Sequence, residues 1–215
     1  LKSLNVKLYN YSKFIKTDEM IKCLNLLPDQ YKELDNNIFI FESYLDYSLF
    51  CIKKLDFLSL SICMPRYMFR LFTKTDIPGF YSIVNKNVFI IEKTILSLID
   101  TKLNIVKTSK EYSEYATDDV LNNYKFMWVK FIVLDTIVHE ITHALQHHKK
   151  NIGFSIKKIL IKWQNSPSEY DAVKSSISIF SQNHNEFISI LNVKGIKINH
   201  SLSPLSTSYK YYIKL

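Results

Sequence analysis

Apolar and polar positions change their period several times along this chain, and each change marks an element. Thr17-Asp18-Glu19 opens a stretch with Met20, Ile21, Leu24 and Leu27 on one face, which predicts a helix beginning at Thr17. Pro28-Asp29 interrupts it and opens a second, short helix through Tyr31 and Leu34. Ile38-Phe39-Ile40-Phe41, after the turn-prone Asp35-Asn36-Asn37, reads as a strand. From Tyr44 to about Met64 the apolar positions are too dense for a clear period, and we expect a buried helix that continues irregularly. Between Ile77 and Ile91 two β-prone runs flank Asn85-Lys86-Asn87, predicting a hairpin whose Asn residues take the left-handed turn conformations. An exposed edge of that hairpin would also suit an extended peptide.

Further on, Glu92 to Leu103 reads as helix or loop and Tyr112 to Tyr115 as a polar connection. No Gly or Pro occurs between Thr117 and Ile152, so one long helix is expected, with Asp118-Asp119 at the end where its dipole favours acids. Asn151-Ile152-Gly153 is its stop signal, with Gly153 as the C-cap, and Phe154 to Trp163 predicts another helical segment. Ser166-Pro167 suits the N-cap and first position of a last helix. The expected class is α+β. With no Ser/Gly/Pro-rich linker and no internal repeat, 1–215 is expected to form one domain, with a mixed N-terminal region over 1–70.

Composition narrows the picture only slightly. The 215 residues are 47% hydrophobic and 22% charged with three Gly, a globular profile. The net charge of +8 is spread through pairs such as Lys53-Lys54 and Lys157-Lys158, without a basic stripe interleaved with aromatics. A lysine-rich soluble surface is therefore expected, and no nucleic-acid partner. Cys23, Cys51 and Cys63 have no metal-ligand spacing and read as buried thiols. The longest apolar run, near Phe57 to Met64, is too short for a transmembrane segment. Because the sequence begins at Leu1, a preceding leader stays open, and with it the compartment, secretion included.

Candidate chemistry lies in Val138-His139-Glu140-Ile141-Thr142-His143-Ala144-Leu145-Gln146. Residues four apart share a helix face, so His139 and His143 project side by side. Two imidazoles so placed can bind one Zn²⁺ and leave room for a third ligand and a water. Glu140 would point beside the metal, where a general base belongs. Burying His, Glu and His among Phe131, Leu134, Val138, Ile141 and Leu145 needs a compensating interaction, and a metal supplies one. Two histidines four apart can also be chance, but the full H-E-x-x-H in an apolar helix is a stricter pattern.

The third ligand is less legible. Ser166-Pro167-Ser168-Glu169 is also a capping box, in which Glu169 reaches back to a backbone N–H. Spacing alone leaves cap and ligand level.

Three blocks together, Gly79-Phe80-Tyr81 through Ile90, the His139–Gln146 run, and Glu169-Tyr170-Asp171-Ala172, resemble the zincin metallopeptidases of the gluzincin type. The similarity is to bacterial zincins whose helix reads H-E-L-T-H-A-L-Q, and it covers roughly the second two-thirds of the chain. It implies a zincin-like catalytic domain with its metal-site region over 71–215: a small mixed sheet, an edge strand over the long helix, and a following helix carrying the third ligand. By that resemblance Glu169, 26 positions after His143, is the third ligand of one Zn²⁺ per chain. Gly79, Phe80 and Tyr81 would belong to the strand along which a peptide or protein substrate lies. A metzincin pattern does not fit, since Gln146 and Lys149 stand where Gly and His are required. Tyr170 and His147-His148 depart from the H-A-L-Q group.

Among the remaining residues, Asp135 lies one turn before His139 and could orient its imidazole, and Gln146 could bond His143. His147 and His148 are expected to face solvent near the helix end. Asp171, His184 and Glu186 rank behind Glu169 as ligands. A transition-state donor is sought among His184, His200, Tyr209, Tyr211 and Tyr212. The expected function is a zinc peptidase with Glu140 as base. The alternative is a zincin-fold binding or regulatory protein without turnover, against which the presence of Glu140 argues. Oligomeric state is not legible.

Overall fold

Strands and helices alternate early in the chain and give way to helices later. The computed structural model describes residues 5–54, 78–83, 85–108, 117–150, 167–193, 196–198 and 211–213. In order these form β1 (Lys7–Asn10), α1 (Thr17–Leu24), α2 (Asp29–Lys32), β2 (Asn37–Phe41), α3 (Tyr44–Lys53), β3 (Gly79–Ser82), β4 (Asn87–Ile91), α4 (Glu92–Thr108), α5 (Asp118–Lys150), α6 (Pro167–Gln182), α7 (His184–Leu191) and a ribbon of β5 (Ile196–Ile198) with β6 (Tyr211–Ile213). The class is α+β, with a small four-stranded mixed sheet and seven helices among the described residues.

The sheet order is β1-β2-β4-β3. β1, β2 and β4 run parallel, with Lys7, Asn37 and Asn87 in line, while β3 is antiparallel to β4 and forms the edge. Both faces are covered, which is why β2 and β4 read as unbroken apolar runs rather than alternating ones. Alternation instead sorts residues between two cores. Ile38, Ile40, Val88 and Ile90 join the large core built with α1, α4, α5, α6 and α7. Phe39, Phe41, Phe89, Ile91 and Phe80 turn to the other face and pack with Tyr44, Tyr47 and Cys51 of α3. There an aromatic ladder crosses the sheet, Tyr9 on Phe39 at 4.7 Å, Phe39 on Phe89 at 5.4 Å and Phe89 on Phe80 at 5.1 Å between centroids.

Helix α5 has 33 residues, so it runs for about 50 Å. Its middle is buried on several sides, with Val129, Val133, Leu134, Ile137 and Val138 inaccessible. Most buried polar groups on it are satisfied locally. Lys130 pairs with Glu19 of α1 at 2.8 Å and donates to the Leu191 carbonyl at 3.2 Å, tying α1, α5 and α7 together. Thr136 and Thr142 donate back to the carbonyls of Ile132 and Val138. Asp135 accepts from Ser176 of α6 at 2.7 Å.

The helices at Thr17 and Pro28-Asp29 begin where the sequence places them but end at Leu24 and Lys32, short of Leu27 and Leu34, while the strand at 38–41 and the long helix form as expected. The hairpin forms too, but its left-handed residue is Lys86, with φ 54°, not an Asn. Asn85 instead accepts from the Asn87 amide at 3.2 Å, and Asn87 accepts from Asn37 at 3.0 Å. The side chains close the turn while the backbone between them takes the strain. α4 is helical throughout and extends five residues past Leu103. β1, α7 and the β5–β6 ribbon have no counterpart in the sequence reading. The expectations for 55–64, 112–115, Gly153, 154–163 and Ser166 lie outside the described residues.

Gly79 sets the distance between β3 and α5. A Cβ there would meet Thr136 Cγ2 at 2.6 Å and Ile90 Cδ1 at 2.8 Å. Gly79→Ala is therefore expected to destabilise the chain by about 1–3 kcal/mol in urea titrations, the usual range for overpacking. Adding Thr136→Ser, which removes the offending methyl, should recover part of that loss. An unchanged midpoint in the single variant would show that β3 is not held this closely.

Candidate metal centre

Three side chains from two helices converge beneath the sheet edge. His139 and His143 are one turn apart on α5, with their Nε2 atoms 3.2 Å from each other. Glu169, in the first turn of α6, brings Oε2 to 3.2 Å from His139 Nε2 and Oε1 to 3.1 Å from His143 Nε2. A tetrahedral zinc with bonds of about 2.0–2.1 Å needs ligand atoms about 3.3–3.4 Å apart, close to this triangle. Among the described residues, these three form the group of His, Cys, Asp and Glu that can hold a metal ion.

The donor chemistry fits as well. Gln146 donates its amide N–H to the Ser168 carbonyl at 2.9 Å, an oxygen that can only accept. Its own oxygen must then face His143 Nδ1, 3.0 Å away, so Nδ1 carries a proton and donates. In the neutral imidazole that leaves the Nε2 lone pair aimed at the triangle.

Charge within the triangle is arranged the same way. Burial works against a charged His143, but its bond to Glu169 and the charges of Glu140 and Glu169 outweigh it and raise its pKa to about 9. Burial likewise opposes ionised Glu169, yet hydrogen bonds from the two imidazoles bring it down to about 2. At neutral pH the triangle thus holds a carboxylate and a proton on His143.

Glu140 is buried, 4% exposed, and lies beside the triangle without supplying an atom to it. Burial pushes its carboxyl above the usual range and Glu169 adds to this, while His139, His143 and a hydrogen bond from the Tyr81 main-chain N–H pull the other way.

The other candidates are placed as follows. Gly79 sits against Thr136, and Phe80 is buried in the aromatic cluster on the far face of the sheet. Gly79 thus has no side chain to offer the triangle, and that of Phe80 faces away from it. Tyr81 turns toward α5, where its hydroxyl is 3.3 Å from His147 Nδ1. His147 is therefore half-buried against the edge strand rather than facing solvent as expected, while His148 is exposed. Asp135 accepts from Ser176, binding α5 to α6 one turn below His139. Asp171 is exposed and lines a groove of about 270 Å³ with Gln146, Lys149 and Lys174. His184 and Glu186 begin α7, outside the triangle. Tyr211 and Tyr212 lie in β6, and His200 and Tyr209 fall outside the described residues. The Tyr81–His147, Asp135–Ser176 and Gln146–Ser168 contacts leave no motif in the sequence, because each joins residues far apart along the chain.

No known protein family, no curated protein and no solved structure matches this chain.

Two outcomes are expected from metal titrations. Zinc must displace the His143 proton, so uptake at pH 7 should release about one proton and affinity should rise with pH until about 9. Calorimetry in two buffers of different ionisation enthalpy checks this. Glu169→Gln keeps a capping side chain but replaces an anionic oxygen by a neutral one, and should weaken zinc binding more than about a hundredfold with helix content unchanged. Wild-type affinity in that variant would return Glu169 to a capping role.

Proposed function

We propose that the chain is a zinc-dependent peptidase of the zincin type, with His139, His143 and Glu169 holding one Zn²⁺ and Glu140 as general base. The observation that carries this reading is the position of Glu140. A site that only stabilised the fold would be complete with its ligands, and a fourth buried ionisable group beside them would be a net cost. In a hydrolase the same group has a task.

When bound, the zinc would polarise a scissile carbonyl and acidify a water molecule. Glu140 would take the proton of the attacking water and deliver it to the leaving amine. Its raised pKa makes it a stronger base toward the attacking water than an ordinary carboxylate, while as a carboxylic acid it can still pass the proton to an amine. Gln146 keeps His143 in one tautomer and one orientation. β3 supports a peptide substrate, because among the described residues it is an edge of the sheet with no strand on its outer side, antiparallel to its neighbour, and packs directly over α5. Among the described residues no helix is long and apolar enough to cross a membrane.

Glu140→Gln tests the assignment. It leaves the three ligands in place, so zinc content should stay at one per chain while hydrolysis of a casein or peptide-library substrate falls by at least about a hundredfold. Zinc bound with no turnover in the wild type would favour a zincin-fold binding protein. Loss of zinc in the variant would make Glu140 a ligand.

A further inference from the structure

Tyr81 makes two contacts with α5, and together they fix the base rather than the metal. Along β3 the hydrogen-bonding positions alternate. Ile91 donates to the Pro78 carbonyl at 2.9 Å, so 78 and 91 form a bonded position. With Gly79 opposite Ile90 and Tyr81 opposite Val88, the next bonded positions are Phe80 with Phe89 and Ser82 with Asn87. The main-chain groups of Gly79 and Tyr81 therefore point away from β4, toward the outer edge. At Tyr81 the N–H takes no part in the β3–β4 ladder; with Gly79 against Thr136 and the Tyr81 hydroxyl at His147, the strand lies over the face of α5 that carries Glu140 between them, where the Tyr81 N–H can donate to its carboxylate.

The side chain of the same residue holds that donor in place. Its hydroxyl lies 3.3 Å from His147 Nδ1, on α5 two turns beyond Glu140. The buried Asn36, which also acts on the phenol, donates to the Lys86 carbonyl in the β3–β4 turn. Gly79, two residues back, lets this length of β3 lie close against Thr136. The strand is thus pinned on both sides of the point where it meets Glu140.

We infer that Tyr81 is a positioning residue: its main-chain N–H aims the Glu140 carboxylate, and its phenol, clamped by His147 and Asn36, keeps that N–H in register with the helix. The inference rests on Glu140 acting as the base. It assigns the substrate-facing strand a second task, and gives His147 a role although it is not a ligand. A carboxylate with one oxygen engaged by a fixed donor has a single orientation, and displacement of a reacting group by an ångström is enough to cost about a hundredfold in rate.

Amide hydrogen exchange on the full chain reads this bond without reference to activity. An edge N–H outside the ladder exchanges quickly unless something holds it. The Tyr81 amide should be protected in the wild type and in Glu140→Gln, whose amide oxygen still accepts, and exchange at least about tenfold faster in Glu140→Ala, with the Phe80 amide unchanged. Equal exchange at Tyr81 in wild type and Glu140→Ala would overturn the inference. A second arm uses Tyr81→Phe and His147→Leu, each expected to lower kcat by about ten- to a hundredfold with KM and zinc content unchanged, the pair together costing no more than one alone. His147→Gln, which can still meet the phenol, should restore most of the loss. A rise in KM with kcat held would make Tyr81 a substrate contact and sink the positioning role. Absence of turnover in the wild type would remove the peptidase reading, and the exchange result at Tyr81 would still decide whether the strand holds Glu140.

Discussion

Four ionisable side chains, His139, Glu140, His143 and Glu169, share one largely buried volume, and the surrounding elements are arranged to make that tolerable. A buried carboxylate or imidazolium is costly unless paired, and the cost of leaving one unpaired exceeds the gain from any single pair. Here Glu169 meets both imidazoles across the α5–α6 interface, and these contacts hold its pKa down to about 2 and raise that of His143 to about 9. The position of α6 follows from this. Its first turn must bring Glu169 to α5, and the Ser168 carbonyl to Gln146 and the Ser176 hydroxyl to Asp135 fasten the same helix on either side.

The opposite side of α5 meets the sheet rather than a helix. Gly79 permits an approach that any other residue would block, so the edge strand can supply main-chain groups to Glu140. α5 is thereby divided around its circumference. The face toward α6 holds the two imidazoles, and the face toward β3 holds Glu140. A separation of that kind needs a helix buried on several sides, which the apolar run from Trp128 to Leu145 provides.

The sequence showed the parts whose signal is local. H-E-x-x-H in an apolar segment free of Gly and Pro gave the helix and three of the four residues in the cluster, and the hairpin around Asn85-Lys86-Asn87 gave the edge strand. Glu169 was ambiguous because a capping box and a ligand position coincide, and only the fold shows which groups its carboxylate meets. β1 was invisible for a physical reason. It is four residues long, half-exposed, and held mainly by pairing with β2 and by Tyr9 stacking on Phe39, none of which leaves a periodic signature. His147 was misplaced because its partner, Tyr81, lies 66 residues away. Contacts between distant segments are set by topology, and topology was the least legible feature.

The claim on which everything else depends is that His139, His143 and Glu169 bind one zinc ion together. X-ray absorption at the zinc edge of the stoichiometrically loaded chain tests it without any assumption about substrate. The account predicts a low coordination number, with the multiple-scattering pattern of two imidazoles at about 2.0–2.1 Å and the remaining positions filled by oxygen. A sulfur shell near about 2.3 Å, or a six-coordinate shell of oxygens with no imidazole, would place the metal elsewhere and contradict it.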